Sequence, residues 1–384
     1  MHRIAFYAPL KSPDHPIPSG DRAMARLLIA AWRRQGAQID IPTRLRARIT
    51  APDPIAQREL AARAEAEADR LIAHYRAELP DWRPQAWFTY HLYYKAVDWI
   101  GPKVAAALDI PYLLAEASHA PKRAAGDWAF NHGGAEQAIR AASAIFCLNP
   151  NDRACLAPLA GTARLVDLPP FLDLAAFAPV VPDKIASRQR MAIEAGIDIA
   201  SPRFAAPWLL AVGMMRPGDK LASYRQLATA LPAIHQRDWH LVIIGDGPAR
   251  PEIERLFAPF PGRVTMVGAK APEDLPGYYA AADLLVWPAV NEAFGMALLE
   301  AQACGLPVLA GAVGGVPAIL RDSETGWLAP ADDPAAFGAL LNRVLGLDLA
   351  TAGCRARQYI EARHDIAGAA RILDRTWRDL GLPA

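Results

Sequence analysis

Short apolar runs alternate with longer amphipathic segments along the whole chain. In the first half, the apolar runs predict strands over 4–8, 38–41, 86–89, 111–115, 144–147 and 163–167. The segments between them carry helix formers at helical spacing and predict helices over 21–35, 54–79, 99–108 and 135–142. This alternation is typical of a parallel sheet that is covered by helices on both faces.

A proline-rich segment interrupts the alternation and then the pattern resumes. Prolines at 169, 170, 179 and 182 cannot continue a helix or a central strand, so residues 171–182 are interpreted as a linker. Beyond it, strands are predicted over 208–212, 240–245, 263–267, 284–288 and 307–310. The sequence therefore predicts two doubly wound α/β domains, over 1–170 and 183–365. Because such sheets bind ligands at the carboxyl ends of their strands, we expect an active site in the cleft between the domains.

Composition and charge exclude several classes of protein. The hydrophobic fraction of 53% excludes intrinsic disorder, and a net charge of +1 gives no overall field for nucleic acid. No apolar window approaches the roughly 18 residues of a membrane span, and the first residues predict a strand rather than a signal peptide. The four cysteines form no Cys-x-x-Cys pair, so we expect buried, reduced thiols in a cytoplasmic protein.

The segment from 287 to 309 carries the most chemical information. A predicted strand ends at Pro288, and a helix is expected to begin near Gly295 and to stop at Gly305. Helix N-termini bind anions, and Glu292 and Glu300 flank this one. The pattern suits a nucleotide-sugar, which has hydroxyls on both sides of its diphosphate. The alternative is structural: Glu292 caps the helix and Glu300 belongs to a polar network.

The same segment resembles glycosyltransferase family 4, a retaining family with the GT-B fold of two Rossmann-like domains. The family signature is matched at Glu292, Phe294, Gly295, Glu300, Ala301, Gly305, Pro307 and Val308. Family-like blocks also occur at 245–248, 267–268, 314–317 and 326–328. The resemblance covers nearly the whole second domain. It also implies that the final helix, within 366–384, packs back on the first domain.

The resemblance implies roles for individual residues of the second domain. Glu292 would hold hydroxyls of the donor sugar and Glu300 the ribose. The family's Gly-Arg-x-x-x-x-Lys segment is replaced here by 213–220, where Lys220 lies one residue later than usual and Arg216 two. These two cations would neutralise the diphosphate. The remaining predicted donor contacts are backbone positions at Gly245, Val267, Phe294, Gly295 and Met296.

The first domain offers fewer matches. Gly20 follows the first strand, where the family has a glycine loop near donor phosphate. His91 and His119 each follow a strand, and the family favours a histidine at the second position, which makes His119 the catalytic candidate. The alternative for each is a hydrogen-bonded structural residue, and His91 lacks the family match that supports His119. Lys122 and Arg123 are either acceptor contacts or residues of a solvated loop.

Metal chemistry is not expected from the sequence. No two aspartates are separated by one residue, and no His/Cys/Asp cluster is found at metal-ligand spacing. The resemblance implies a metal-independent, front-face transfer of a hexose from a nucleotide-sugar, with no other cofactor. A UDP-sugar is the family's commonest donor.

The acceptor is less defined than the donor. Seven arginines between 21 and 48, at 22, 26, 33, 34, 44, 46 and 48, are either a solvated face or a patch for an anionic membrane or acceptor. We expect a glycan or lipid-linked sugar acceptor, in polysaccharide or glycolipid biosynthesis, with the protein cytoplasmic or peripheral at the inner membrane face. Two alternatives stay open: a nucleotide-sugar epimerase of the GT-B fold and a non-catalytic scaffold subunit.

Overall fold

The chain folds as two compact units, each built on its own parallel sheet. The computed structural model describes residues 2–17, 19–77, 82–160, 164–177, 184–235 and 238–383. Unit 1 comprises Met1–Phe171 together with Ile366–Ala384, and unit 2 comprises Leu172–Asp365. The predicted linker overlaps the start of unit 2, and its residues 178–182 lie outside the described part of the chain.

Unit 1 contains a six-stranded parallel sheet in the order β2-β1-β3-β4-β5-β6. Its strands are β1 (Arg3–Tyr7), β2 (Gln38–Asp40), β3 (Ala86–Leu92), β4 (Tyr112–Ala117), β5 (Ala144–Cys147) and β6 (Arg164–Asp167). Its helices are α1 (Gly20–Arg34), α2 (Pro54–Ala77), α3 (Gly101–Leu108), α4 (Ala129–Ala141), α5 (Pro150–Ala160) and α14 (Ile366–Asp379). The near-continuous burial of β1, β3, β4 and β5 explains their largely apolar sequences, because both faces of the sheet are covered.

The last helix belongs to unit 1 because its apolar face packs against α1. Trp377 lies with its ring centroid 5.8 Å from that of Trp32 and 4.4 Å from that of His2. Trp32 in turn contacts Phe88 of β3 edge to face. Trp32 and Trp377 are both fully buried, so burial of their large apolar surfaces fixes the position of the final helix.

Unit 2 repeats the architecture with the order β12-β11-β10-β7-β8-β9. Its strands are β7 (Trp208–Val212), β8 (His240–Ile244), β9 (Val264–Met266), β10 (Leu284–Trp287), β11 (Val308–Gly311) and β12 (Gly326–Ala329). Its helices are α6 (Lys184–Ala195), α7 (Pro202–Ala205), α8 (Asp219–Ala230), α9 (Arg250–Phe257), α10 (Leu275–Ala281), α11 (Met296–Ala303), α12 (Pro334–Val344) and α13 (Leu349–Arg363). All the pairings are parallel, which confirms the predicted α/β, doubly wound class for both sheets.

Three details differ from the sequence-based prediction. Helix α4 begins at Ala129 rather than at 135, and α5 and β12 were not predicted as elements. Gly134 of α4 is buried, and a Cβ there would lie 2.0 Å from the ring of Trp99, so this glycine allows close packing and does not break the helix. The expectation of four buried cysteines is also wrong, since Cys354 is exposed on α13.

Candidate functional site

The strand order of unit 2 creates a topological switch point between β7 and β10. These strands are neighbours, but the chain continues from β7 to β8 and β9 on one side, and from β10 to β11 and β12 on the other. The two loops that leave their carboxyl ends therefore run to opposite sides of the sheet, and doubly wound sheets bind ligands at such a point. Residues 213–218 form the first loop and residues 288–295 form the second.

Lys220 and Glu292 meet at this switch point. The ammonium of Lys220, in the first turn of α8, donates a hydrogen bond to Oε2 of Glu292. The indole N–H of Trp287 donates to the same oxygen at 3.3 Å, and the Lys220 ammonium lies 5.3 Å from the Trp287 ring centroid. Both charged side chains keep less than a fifth of their surface exposed. The arrangement presents a cation and a carboxylate side by side, held by a buried indole.

The structure does not support the alternative that Glu292 caps the following helix. The N-cap residue of α11 is Gly295, and α11 has no side-chain cap. Gly295 has φ 73°, a left-handed conformation that favours glycine. The N–H of Leu298 donates to the carbonyl of Gly295 at 3.0 Å, so the N–H groups of Met296 and Ala297 are the ones that a ligand anion could meet at this helix start. Phe294, just before Gly295, is buried.

The loop after β7 is held against the loop after β8 by backbone contacts. The N–H of Met215 donates to the carbonyl of Asp246 at 2.9 Å, and the N–H of Ala249 donates to the carbonyl of Met215 at 2.8 Å. Gly245 has φ 147°, and a Cβ there would lie 1.9 Å from the carbonyl oxygen of Gly213. A side chain at 245 is thus excluded by backbone, which explains the glycine found there.

The remaining predicted contact residues of unit 2 differ in their burial and in their hydrogen-bond partners. Val267 directly follows β9, and its N–H donates to the carbonyl of Ile243 at 3.1 Å. Arg216 is exposed in the loop after β7. Glu300, one turn into α11, accepts a hydrogen bond from the hydroxyl of Tyr279 at 2.7 Å. The structural alternative therefore applies to Glu300 in part, because this carboxyl does belong to a polar pair.

Burial changes the acidity of Glu300. Removal from water raises the pKa of its carboxyl above the ordinary value, and the Tyr279 hydrogen bond opposes this only in part. A ligand with a hydroxyl that donates to Glu300 would favour the ionised form and so offset the cost of burial. A ribose diol has this chemistry.

In unit 1, Gly20 and His91 lie at the equivalent switch point, between β1 and β3. Gly20 is the first residue of α1, whose N-cap Ser19 accepts a hydrogen bond from the Arg22 N–H at 3.2 Å. The Nδ1 atom of His91 lies 3.1 Å from Oδ1 of Asp21 and 4.0 Å from Oε1 of Glu116. His91 therefore belongs to a carboxylate cluster that the sequence did not reveal.

The cluster around His91 is electrostatically unusual. Burial alone would lower the pKa of His91, but Glu116 and Asp21 outweigh burial and raise it to about 9. Burial raises the pKa of Glu116, and it also raises that of Asp152, which accepts a hydrogen bond from Ser118 at 2.8 Å. In the sequence, this cluster is indicated only by a glutamate, Glu116, inside the otherwise apolar strand β4.

His119 lies in the loop after β4 and has its own partner. Its Nε2 atom is 2.9 Å from Oε1 of Glu136, and its ring centroid is 5.0 Å from that of His132. Ligand atoms of these three residues all lie within 4.8 Å of one another. The expectation that no His/Cys/Asp cluster occurs at metal-ligand spacing needs correction, because His132 and Glu136 are one helical turn apart and the fold brings a second histidine to them.

The basic segment of unit 1 has mainly local contacts. The guanidinium of Arg22 donates to the carbonyl of His15 at 2.7 Å, and that of Arg26 donates to the carbonyl of Pro13 at 2.7 Å. Arg44 pairs with Asp14, and Arg46 donates to the carbonyl of Leu10 at 3.2 Å. These arginines hold the β1–α1 loop. Arg123 has a comparable local role, with its guanidinium 5.4 Å from the ring centroid of Tyr94, while Lys122 is exposed.

Comparison with known proteins identifies the domain that carries this geometry. Residues 206–346 match the family model described as glycosyl transferases group 1. The chain contains a glycosyltransferase group 1 domain. The predicted resemblance is thereby confirmed for the segment that holds Lys220, Glu292 and Glu300.

Curated relatives of the chain are named as glycosyltransferases. The D-inositol 3-phosphate glycosyltransferase of Salinispora tropica is 34% identical over 48% of this chain and 40% of its own length. The protein of the same name from Mycolicibacterium vanbaalenii is 29% identical over 65% of this chain and 54% of its own length. The chain spans about half the length of the curated relatives it matches.

Solved structures confirm the GT-B fold. Sucrose-phosphate synthase from Thermosynechococcus elongatus superposes with a TM-score of 0.73 at 21% identity, covering 99% of both chains. The Anabaena protein Alr3699/HepE, solved in complex with UDP, superposes with a TM-score of 0.71 at 15% identity, covering 99% of this chain and 100% of its own.

Within the described ranges, no single helix is long and apolar enough to cross a bilayer. Helices α12 and α13 have the length and apolar composition of a span only as a pair, which is bent by 108°.

Proposed function

We propose that this protein is a retaining glycosyltransferase that moves a hexose from a nucleotide-diphosphate sugar, a UDP-sugar above all, to an acceptor hydroxyl. The observation that carries the proposal is the Lys220–Glu292 pair at the switch point between β7 and β10, beside the first turn of α11. The group 1 glycosyltransferase domain and the UDP bound by a structural neighbour support it.

The pair has the chemistry to hold both halves of the donor. An ammonium has three N–H donors, and Glu292 occupies one of those of Lys220, which leaves others for diphosphate oxygens. The Glu292 carboxylate has further lone pairs that accept hydrogen bonds from sugar hydroxyls. Lys220 would therefore bind the leaving group and Glu292 the hexose, while the pairing keeps each oriented before the donor arrives.

The proposed reaction proceeds on one face of the sugar. The bond from the anomeric carbon to the diphosphate breaks, and its electron pair leaves with the diphosphate. The acceptor oxygen bonds to the anomeric carbon on the same face, and its proton goes to the departing phosphate oxygen. Lys220, Arg216 and the N–H groups at Gly295 and Met296 would stabilise the growing negative charge. The chemistry therefore assigns no step to a protein-bound metal.

We propose that residues of unit 1 bind the acceptor and make the remaining contacts with the donor. Gly20 and His119 keep their proposed roles near donor phosphate and donor sugar. We propose a hydroxyl-rich acceptor such as a glycan or lipid-linked sugar, because the cluster of His91, Asp21 and Glu116 offers carboxylate acceptors to hydroxyl groups. Contact of the arginines with an anionic membrane stays a prediction, as does a cytoplasmic location.

Donor turnover with and without acceptor tests the proposal. The protein is incubated with a panel of UDP-, GDP- and ADP-hexoses, first alone and then with candidate glycans, and the products are followed by mass spectrometry and NMR. We expect acceptor-dependent release of nucleoside diphosphate, a product with the donor's anomeric configuration, and turnover in the presence of EDTA. Epimerised donor without acceptor would replace the proposal with an epimerase, and failure to bind any nucleotide would replace it with a scaffold role.

A further inference from the structure

The group formed by His119, His132 and Glu136 in unit 1 lies outside the pair that carries the proposed function. His132 and Glu136 lie one turn apart on α4, and His119 reaches them from the loop after β4. Their nearest ligand atoms all fall within 4.8 Å of one another. Two imidazoles and one carboxylate are the donor set of many three-residue zinc sites.

His132 provides the independent observation that points to a ligand. The residue is 4% exposed, yet its Nε2 atom is buried without a hydrogen-bond partner. A buried polar atom left unpaired is destabilising, so it calls for an explanation. A bound cation in the group would satisfy it.

The remaining atoms of the group have neighbours of their own. The ring of His132 lies against the backbone of Ala120, while its Nε2 atom has no hydrogen-bond partner. Oε1 of Glu136 faces His119, while its second oxygen lies 3.5 Å from Nη2 of Arg140. The carboxylate is thus held by a neighbour on its own helix and keeps one oxygen toward the histidines.

We propose that His119, His132 and Glu136 form a binding site for a divalent transition metal, with Zn²⁺ as the ion that best fits two imidazoles and one carboxylate. On binding, the metal replaces the proton shared by Nε2 of His119 and Oε1 of Glu136, and this proton is released to solvent. A water molecule completes the coordination, since the chain supplies three ligands here.

The site has a regulatory consequence, which rests on the proposed function. Zn²⁺ would take Nε2 of His119, the side chain assigned to the donor sugar, and the metal-bound protein would be the inactive form. Micromolar Zn²⁺ should then inhibit sugar transfer reversibly, and EDTA should restore it. Wild-type protein that binds the metal and transfers sugar equally well would overturn this consequence.

Metal binding by the whole chain, without a histidine tag, tests the site itself. Chelator-treated protein is titrated with Co²⁺ alone, and its visible absorption bands are recorded before and after Zn²⁺ competition. We expect one tight equivalent, with intense bands of low coordination number, and displacement by Zn²⁺. Absence of these bands in wild-type protein would overturn the proposal, and it would leave the proposed sugar transfer untouched because no donor is used.

Matched variants separate the site from other histidines and from misfolding. Glu136→Gln and His132→Gln should weaken Co²⁺ binding by at least about tenfold. His235→Gln, an exposed histidine of unit 2, should bind like wild type. Glu136 is partly exposed, so its variant stays informative if His132→Gln fails to fold. Equal binding by Glu136→Gln and wild type, or equal loss in His235→Gln, would contradict the site.

Discussion

Lys220 donates a hydrogen bond to Oε2 of Glu292, although 72 residues separate them in the sequence. The contact exists because β7 and β10 are neighbours in the sheet while their following loops diverge. Trp287, the last residue of β10, holds the same carboxylate oxygen through its indole N–H. A cation and a carboxylate are thereby placed side by side at the end of the sheet.

Removal of the Lys220 charge should weaken nucleotide binding. Lys220→Ala is expected to lower UDP affinity by at least about tenfold and transfer by about 100-fold, because the proposed reaction relies on this cation to stabilise the leaving diphosphate. Arg225→Ala is the matched control: it removes an exposed cation from the same helix, which pairs with Glu252 away from the switch point. Calorimetry with UDP measures the difference, and equal affinities for the two variants would contradict the role of Lys220.

Replacement of Gly245 by alanine should destabilise the protein, whereas the same replacement of a helical glycine should not. A Cβ at 245 would collide with the backbone of Gly213 at 1.9 Å, so Gly245→Ala should lower the free energy of unfolding by more than about 2 kcal/mol and weaken UDP binding. The nearest atom to a Cβ at 277, in α10, is 3.8 Å away, so Gly277→Ala should be neutral or stabilise by about 0.5–1 kcal/mol. Urea unfolding checks both, and a neutral Gly245→Ala would show that the two loops are not tightly joined.

Stability should depend on pH through His91. Its pKa is raised to about 9 in the folded protein, against an ordinary value of 6.5. A raised folded-state pKa gives stability that is fully present below 6.5 and is lost as the pH rises through 9. The free energy of unfolding should therefore fall by about 1–3 kcal/mol across this window, and less so in His91→Asn. NMR titration of the His91 ring measures the pKa directly, and a value at or below 6.5 would contradict the cluster.

The cysteines should differ strongly in reactivity. Burial raises the pKa of Cys304 to about 12 and that of Cys147 to about 11, so neither thiol ionises appreciably near neutral pH. Cys354 is exposed and should be alkylated first. Peptide mapping after brief treatment with iodoacetamide at neutral pH checks the order. Modification of Cys304 ahead of Cys354 would mean that the α11–β11 region opens in solution.

The sequence predicts most strands because these sheets are buried on both faces. Strands such as Trp208–Val212 are unbroken apolar runs, and a short run of this kind is typical of a central strand of a covered sheet. Helices are harder to predict from the sequence where glycine or proline has a packing role inside them. Gly134 lies beneath Trp99, and Pro158 lies inside α5, so local propensity argued against helices that tertiary contacts stabilise.

Sequence reasoning found the members of the candidate site but not their partners. Lys220 and Glu292 were identified separately, and their contact depends on a strand order that the sequence does not specify. The cluster of His91 with Asp21 and Glu116, and that of His119 with His132 and Glu136, likewise join residues from different elements. His132 and Glu136 lie one turn apart on α4, but the histidine that completes the group comes from another loop.

Titration calorimetry with UDP and a panel of UDP-hexoses, on wild type and Glu292→Gln, tests the donor site most directly. Because Glu292 is assigned to the sugar and Lys220 to the diphosphate, Glu292→Gln should bind UDP within about twofold of wild type. It should lose the extra affinity, about tenfold, that the hexose gives the wild-type protein. Equal discrimination between UDP and UDP-hexose by both proteins, or no nucleotide binding by wild type, would contradict the account.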